Sequence, residues 1–202
     1  MTPIYYRLEN RLDREFKILD REKITHWLFH FNGEGVDIDN CRGGRIRIGG
    51  AMEFADQPRH IYWTFITPCL HDIILDVLNE ADEQGRRYAP DIAREALDEA
   101  SELLKSFVAR VYNQMVVIDR RLRGKGYPDS VDPYDASEKI KALQAHVDER
   151  AASMRAQIAV PTWLQKRSAA LERHRVLVSI VLALASAALG WLIRDLQGPP
   201  IR

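Results

Sequence analysis

Cysteine is scarce in this chain: Cys41 and Cys69 are the two that occur. Two cysteines make neither a disulfide framework nor a zinc cluster, and both fit a reducing cytosol. Net charge is lacking too. Lys and Arg together number 29 against 29 Asp and Glu, so the basic excess of a dedicated nucleic-acid binder is missing. No GxxxxGK[ST] or GxGxxG run points to a nucleotide, and no internal repeat is visible. Met1 to Phe31 is studded with charge and lacks the apolar core of a secretory signal. Hydrophobic residues still make up 46%, so a chain of this length can bury a core without staples.

What the chain does have is one long apolar run. Val176 to Ile193 reads VLVSIVLALASAALGWLI, about 18 residues without a charge, the lower end of the range for a transmembrane helix. Arg175 and Arg194 bracket it as snorkelling anchors, and Trp191 is placed as an aromatic anchor at the interface. Gly198, Pro199 and Pro200 then stop the helix. A core helix apolar all round would need protein on every side, which a short chain can hardly supply. The reading is a late, single-pass span with membrane lipid as a partner. Lys166, Arg167, Arg173 and Arg175 precede it against Glu172, whereas Arg194, Asp195 and Arg202 follow. The positive-inside rule therefore keeps the bulk of the chain cytoplasmic and sends residues 194–202 across. Ser179, Ala183 and Ala187 recur on the span at four-residue steps, beside Ser186 and Gly190. Such small-residue faces let helix backbones approach and favour a homo-oligomer.

Upstream of the span the pattern is mainly α. Thr2-Pro3 opens a helix as N-cap and first residue. Tyr5, Leu8, Leu12, Phe16, Leu19, Trp27 and Phe31 then extend it to Phe31, with Lys23 filling one gap. A β insertion is expected over 33–67. Val36–Asp39, Arg45–Ile48, Ala51–Phe54 and His60–Ile66 are short, rich in strand formers and separated by Gly pairs and Pro58, so they predict a small antiparallel meander over about 36–66. Thr67-Pro68 repeats the cap pattern and starts a helix that Gly85 closes. Pro90 opens the longest helix, to about Arg123, and GKGYPDSVDP (124–133) reads as a linker. Asp135 and Glu138 make a capping-box pattern for a helix that ends before Pro161. The domain plan is a cytoplasmic helical bundle over 1–160, a juxtamembrane helix over 161–175, the span over 176–193 and a translocated tail.

Few constellations carry chemistry. Glu22, His26 and His30 fall at successive four-residue steps on one helical face, a spacing able to chelate a divalent metal. His71, Asp72 and Asp76 lie on another polar face that can complete the set. Without metal, the histidines are boundary residues among Trp27, Phe29 and Phe31. Arg42, Arg45 and Arg47 surround Gly43-Gly44, so the turn is a candidate phosphate contact, and equally a hairpin edge protected by charge. Acidic residues open the longest helix and Arg120, Arg121 and Arg123 close it, as the helix dipole favours. No Ser–His–Asp or Cys–His arrangement follows from spacing, and nothing points to catalysis with force. The expectation is a scaffold or adaptor that binds a cytoplasmic protein partner at the membrane face. The alternatives are a membrane-disrupting oligomeric effector and a tethered metal-dependent hydrolase or nuclease using Glu22, His26 and His30.

Overall fold

A computed structural model of the chain describes residues 1–26, 35–48, 57–124 and 132–158, with 57–62 described as backbone alone. These residues belong to one unit, Met1–Ala159. They form helices α1 (Tyr5–Leu19), α2 (Gln57–Tyr88), α3 (Pro90–Arg123) and α4 (Ser137–Gln157), and a hairpin of β1 (Val36–Asp39) and β2 (Arg45–Ile48). The mainly helical class with a small antiparallel sheet is therefore as expected. Among the described residues no helix is long and apolar enough to cross a membrane. The run 176–193, its anchors Arg175, Trp191 and Arg194, the small-residue face from Ser179 to Gly190, and the segments 161–175 and 194–202 lie outside the described residues.

Helix α3 is the hub, packed against α1, α2 and α4. Its start and end fall where Pro90 and the basic turn Arg120–Arg123 place them, because proline at the first position and cations at the last turn are local signals. Ala93, Leu97, Ala100, Leu104, Val108, Val111 and Leu122 are buried along it. Small residues near its start let α2 approach closely. Gly85 of α2 sits there, where an added Cβ would lie 2.4 Å from the Ala93 Cα. Gly85 does not end the helix, which runs on to Tyr88. Helix α4 has Ala136 at its N-cap and no side-chain cap, so the expected capping box of Asp135 and Glu138 does not form. The Asp135 carboxylate instead accepts the Ser137 N–H at 2.9 Å just ahead of the helix. Hydrogen bonds from the Ser137 hydroxyl and then its N–H hold Asp135 below the usual carboxylate range. The far end of α4 is closed by Arg94, which donates to the Ile158 carbonyl at 2.8 Å.

Several expectations are corrected. The segment 60–66 is not a strand but the opening of α2, and Pro68 lies inside that helix. Trp63, Ile66, Leu70, Ile74 and Val77 are all buried, and their three- and four-residue steps are the period of a helix face. Packing on that period overrides the strand preference of the individual residues. The Thr67 hydroxyl donates to the Trp63 carbonyl at 2.8 Å, within the turn that Pro68 interrupts. The sheet is accordingly the two-stranded hairpin, in the register Val36↔Ile48 and Ile38↔Ile46, and 51–54 lies outside the described residues.

The first helix is also not regular to Phe31. It gives way at Leu19 to a π turn over Asp20–Ile24, where the Thr25 N–H reaches back to the Asp20 carbonyl at 2.7 Å. Leu19 and Ile24 are both buried, yet five α-helical residues turn the chain by roughly 500°, about 140° off the same face. The wider turn brings Ile24 back to the core. Lys23, the residue that fills the gap in the sequence pattern, instead donates to Asp39 at 2.5 Å. Residues 27–34 lie outside the described residues. At the N-terminus Thr2 is not the cap, a place taken by Ile4. The Thr2 N–H donates to both Glu99 oxygens, at 2.8 and 3.0 Å, and its hydroxyl to one of them.

Candidate functional site

Two hollows gather ionisable side chains. The first is a groove of about 540 Å³ between α2, α3 and α4, lined by Thr67, His71, Tyr112, Lys139, Leu143 and His146 among others. His71 and His146 meet edge to face with ring centroids 4.5 Å apart. Partial burial first, then the neighbouring His146 and Arg42, push the His71 imidazole below its ordinary 6.5. It is therefore largely neutral at physiological pH and gains a proton only on acidification. Burial pushes the Tyr112 phenol up to about 12, the Thr67 hydroxyl pulling slightly the other way, so Tyr112 stays protonated and is no nucleophile. The Thr67 hydroxyl is committed to the Trp63 carbonyl.

Tyr112, which lines this groove, is also part of an aromatic stack. Trp63 lies between Tyr112 and Tyr134, with centroids 4.6 and 4.3 Å away and planes within 14° and 13°. It joins α2, α3 and the segment leading into α4. That segment is also tied by the buried Asp119, whose carboxylate accepts the Tyr134 N–H at 3.1 Å and pairs with Arg123 at 3.4 Å. Neither the histidine pair nor the stack is legible from spacing, because their members come from distant helices.

The second hollow lies beside the hairpin and is lined by Glu22, His26, Gly35, Val36, Asp37, Asp39 and Arg45. It brings two of the three candidate metal ligands, Glu22 and His26, to one place, while His30 lies outside the described residues. Glu22 accepts from Arg21 at 2.6 Å. The Lys23 hydrogen bond, more than any other contact, holds Asp39 below the usual carboxylate range. Among the described residues no group of three His, Cys, Asp or Glu side chains is placed to hold a metal ion. His71 and Asp72 do not join Glu22 and His26: His71 faces His146, and Asp72 is held by Arg42.

The hairpin turn is wired internally. The Asn40 side-chain oxygen accepts the Arg42 N–H at 3.0 Å and the Gly44 N–H at 2.8 Å. Gly43 takes φ +84°, a backbone that glycine adopts freely. Two N–H groups that an anion would seek are thus turned onto Asn40. Arg42 forks onto Asp72 at 2.5 and 3.1 Å, Arg45 meets Asp37 at 2.9 Å and Arg47 lies 3.8 Å from it. Each arginine of the candidate phosphate contact faces a carboxylate of the chain itself.

One expectation is corrected in this region: the two cysteines, read as fitting a reducing cytosol, are bonded to each other. Cys41, in the turn, is disulfide-bonded to Cys69 of α2, a pairing that a separation of 28 residues does not specify. The acidic opening of α3 is likewise spent within the fold: Glu95 and Glu99 on the N-terminal amine, Asp98 on Arg155 and Glu102 on Lys105. Set against known families, curated proteins and solved structures, the chain matches none.

Proposed function

We propose that the chain is a single-pass membrane protein, anchored by its C-terminal segment, that acts without catalysis as a scaffold or adaptor. Copies self-associate through the small-residue face of the span, and the helical bundle presents a protein partner at the cytoplasmic face. The observation that carries the reading is the uncharged run Val176 to Ile193 between Arg175 and Arg194. A segment of this length and polarity is favourable in a bilayer and unfavourable in water. The stronger basic flank lies on its N-terminal side, which supports a cytoplasmic bundle. Support for a binding rather than a catalytic role is chemical. In the groove the hydroxyl of Thr67 is engaged and the phenol of Tyr112 stays protonated, so neither is an activated nucleophile beside the histidines.

The test is the mass of the full-length protein in detergent by light scattering, beside the double variant Ala183→Leu/Ala187→Leu. Leucine keeps the span apolar but blocks close approach of backbones. A defined oligomer that falls to monomer in the variant is the expected result; a monomeric wild type overturns self-association. Dye leakage from liposomes separates the adaptor from a membrane-disrupting effector, and the adaptor releases none.

A further inference from the structure

The Cys41–Cys69 bond joins two very different surroundings. Cys69 is 2% exposed within α2, whereas Cys41 is exposed at the tip of the hairpin. Cys41 also holds φ +62°, a left-handed backbone that residues with a side chain seldom adopt and that the surrounding structure must enforce. Exposure and local strain are the marks of labile disulfides rather than of permanent staples.

Among the described residues, little else of comparable strength holds the hairpin. Its two strands have four residues each, too short to persist as an isolated hairpin in water. Val36, Ile38 and Ile48 are its buried apolar side chains. Its ion pairs to the rest of the described residues, Lys23–Asp39 and Arg42–Asp72, each carry a partner more than a third exposed, a class of contact that stabilises weakly. The disulfide is the covalent link between hairpin and α2.

We propose that Cys41–Cys69 is a thiol–disulfide exchange site, opened by a dithiol reductant, and that opening frees the β1–β2 hairpin from α2. A thiolate of the reductant attacks the Sγ of Cys41, the exposed member of the pair. The sulfur–sulfur bond breaks, its electron pair leaves on Cys69, and Cys69 takes up a proton. The second thiol of the reductant then attacks the mixed disulfide and releases Cys41 as a thiol. Two electrons and two protons pass to the cystine, and the dithiol becomes a disulfide. The reverse exchange, with an oxidised dithiol, closes the clamp. Reduced Cys69 has an acceptor in place, because its Sγ lies 3.7 Å from the Phe65 carbonyl oxygen. Release of the turn also withdraws Arg42 from Asp72 and from beside His71, so the state of the bond reaches the histidine groove. The inference concerns this bond alone and does not depend on the membrane reading.

The test uses the full-length protein in detergent, folded throughout as monitored by circular dichroism. Thiols are counted by alkylation and mass, and amide hydrogen exchange is followed over 36–48, with and without millimolar dithiothreitol. The variant Cys41→Ser is measured beside it; the substitution is at an exposed site and leaves the core intact. Expected are two alkylated thiols in the folded, reduced protein and hairpin amides that exchange at least ~10-fold faster, while amides inside α3 change less than about twofold. Cys41→Ser starts in the fast-exchanging state and does not respond to reductant. A bond that resists dithiothreitol until the protein unfolds overturns the proposal. So does a reduced wild type, or a Cys41→Ser protein, whose hairpin exchanges as slowly as the oxidised one.

Discussion

Replacing Gly85 by alanine would set a methyl carbon 2.4 Å from the Ala93 Cα and 3.0 Å from its amide nitrogen. Carbon atoms in contact sit about 3.5–4.0 Å apart, so α2 and α3 must separate locally by more than about 1 Å. The obstacle is backbone, not the tip of a side chain able to rotate away. Ala81, Ala93 and Ala96 nearby are fully buried, and the Gly85 carbonyl accepts the Ala89 N–H at 3.1 Å in the turn into α3. Overpacking of a tight core costs about 1–3 kcal/mol, and a backbone obstacle belongs at the upper end. Alanine returns about 1 kcal/mol through its better helix propensity. The net expectation is a loss of about 2 kcal/mol. With a urea dependence of about 2 kcal/mol per molar, the unfolding midpoint drops by roughly 1 M. The assay is urea unfolding of the purified protein followed by far-ultraviolet circular dichroism. Gly124→Ala is the internal control, because its nearest new contact is an ordinary 3.5 Å, and it should be neutral or up to about 1 kcal/mol stabilising. A Gly85→Ala protein as stable as the Gly124→Ala protein would refute the close approach of α2 to α3.

Trp63→Ala removes the centre of the Tyr112–Trp63–Tyr134 stack and should cost about 3–5 kcal/mol, read as a lower unfolding midpoint with loss of the near-ultraviolet aromatic signal. Asp119→Ala leaves the Tyr134 N–H without this acceptor and Arg123 without this partner; about 1–3 kcal/mol is expected, and hydrogen exchange should show the 132–136 segment loosened before the helices. His71 sets a pH dependence. Its folded pKa lies below the unfolded 6.5, chiefly through burial, so the unfolded chain binds more protons in the window just below 6.5. Stability is complete above that window and falls as the pH drops through it. Asp72, held low by Arg42, loses its contribution only in stronger acid. Melting temperatures from about pH 7.5 to about pH 5 should therefore fall for the wild type and fall less for His71→Gln; equal slopes would contradict the assignment.

Which parts of this architecture were legible depended on whether their determinants are local. Helix α3 was bounded correctly because Pro90 and the basic turn at Arg123 act within their own helix. The hairpin strands were legible for the same reason, from Arg45–Ile48 alternation and the Gly43-Gly44 turn. The strand reading of 60–66 failed because Ile, Tyr, Trp, Thr and Phe favour strands locally, while burial of Trp63 and Ile66 in phase with Leu70 and Ile74 is a property of the packed bundle. Thr67-Pro68 reinforced the error by resembling a helix start. The π turn after Leu19 was hidden because periodicity assumes a constant turn, and it is the core that requires Ile24 to rejoin the apolar face. The His71–His146 contact and the Cys41–Cys69 bond join positions far apart in sequence, and no spacing rule links them. Glu22 and His26 line one hollow, but a π turn over Asp20–Ile24 replaces the regular helical face on which their spacing was read. Asp37 and Asp39, which share that hollow, come from the hairpin and are engaged by basic residues.

Membrane attachment through residues 176–193 is the claim on which the functional reading stands. It is tested most directly by alkaline carbonate extraction of membranes from cells expressing the full-length chain, beside the single variant Leu184→Arg. A charge at the centre of a span opposes insertion by about 2.5–3.5 kcal/mol. The account expects the wild type to remain in the membrane pellet and Leu184→Arg to shift substantially into the supernatant. A wild-type protein released by carbonate, in the same proportion as the arginine variant, would contradict it.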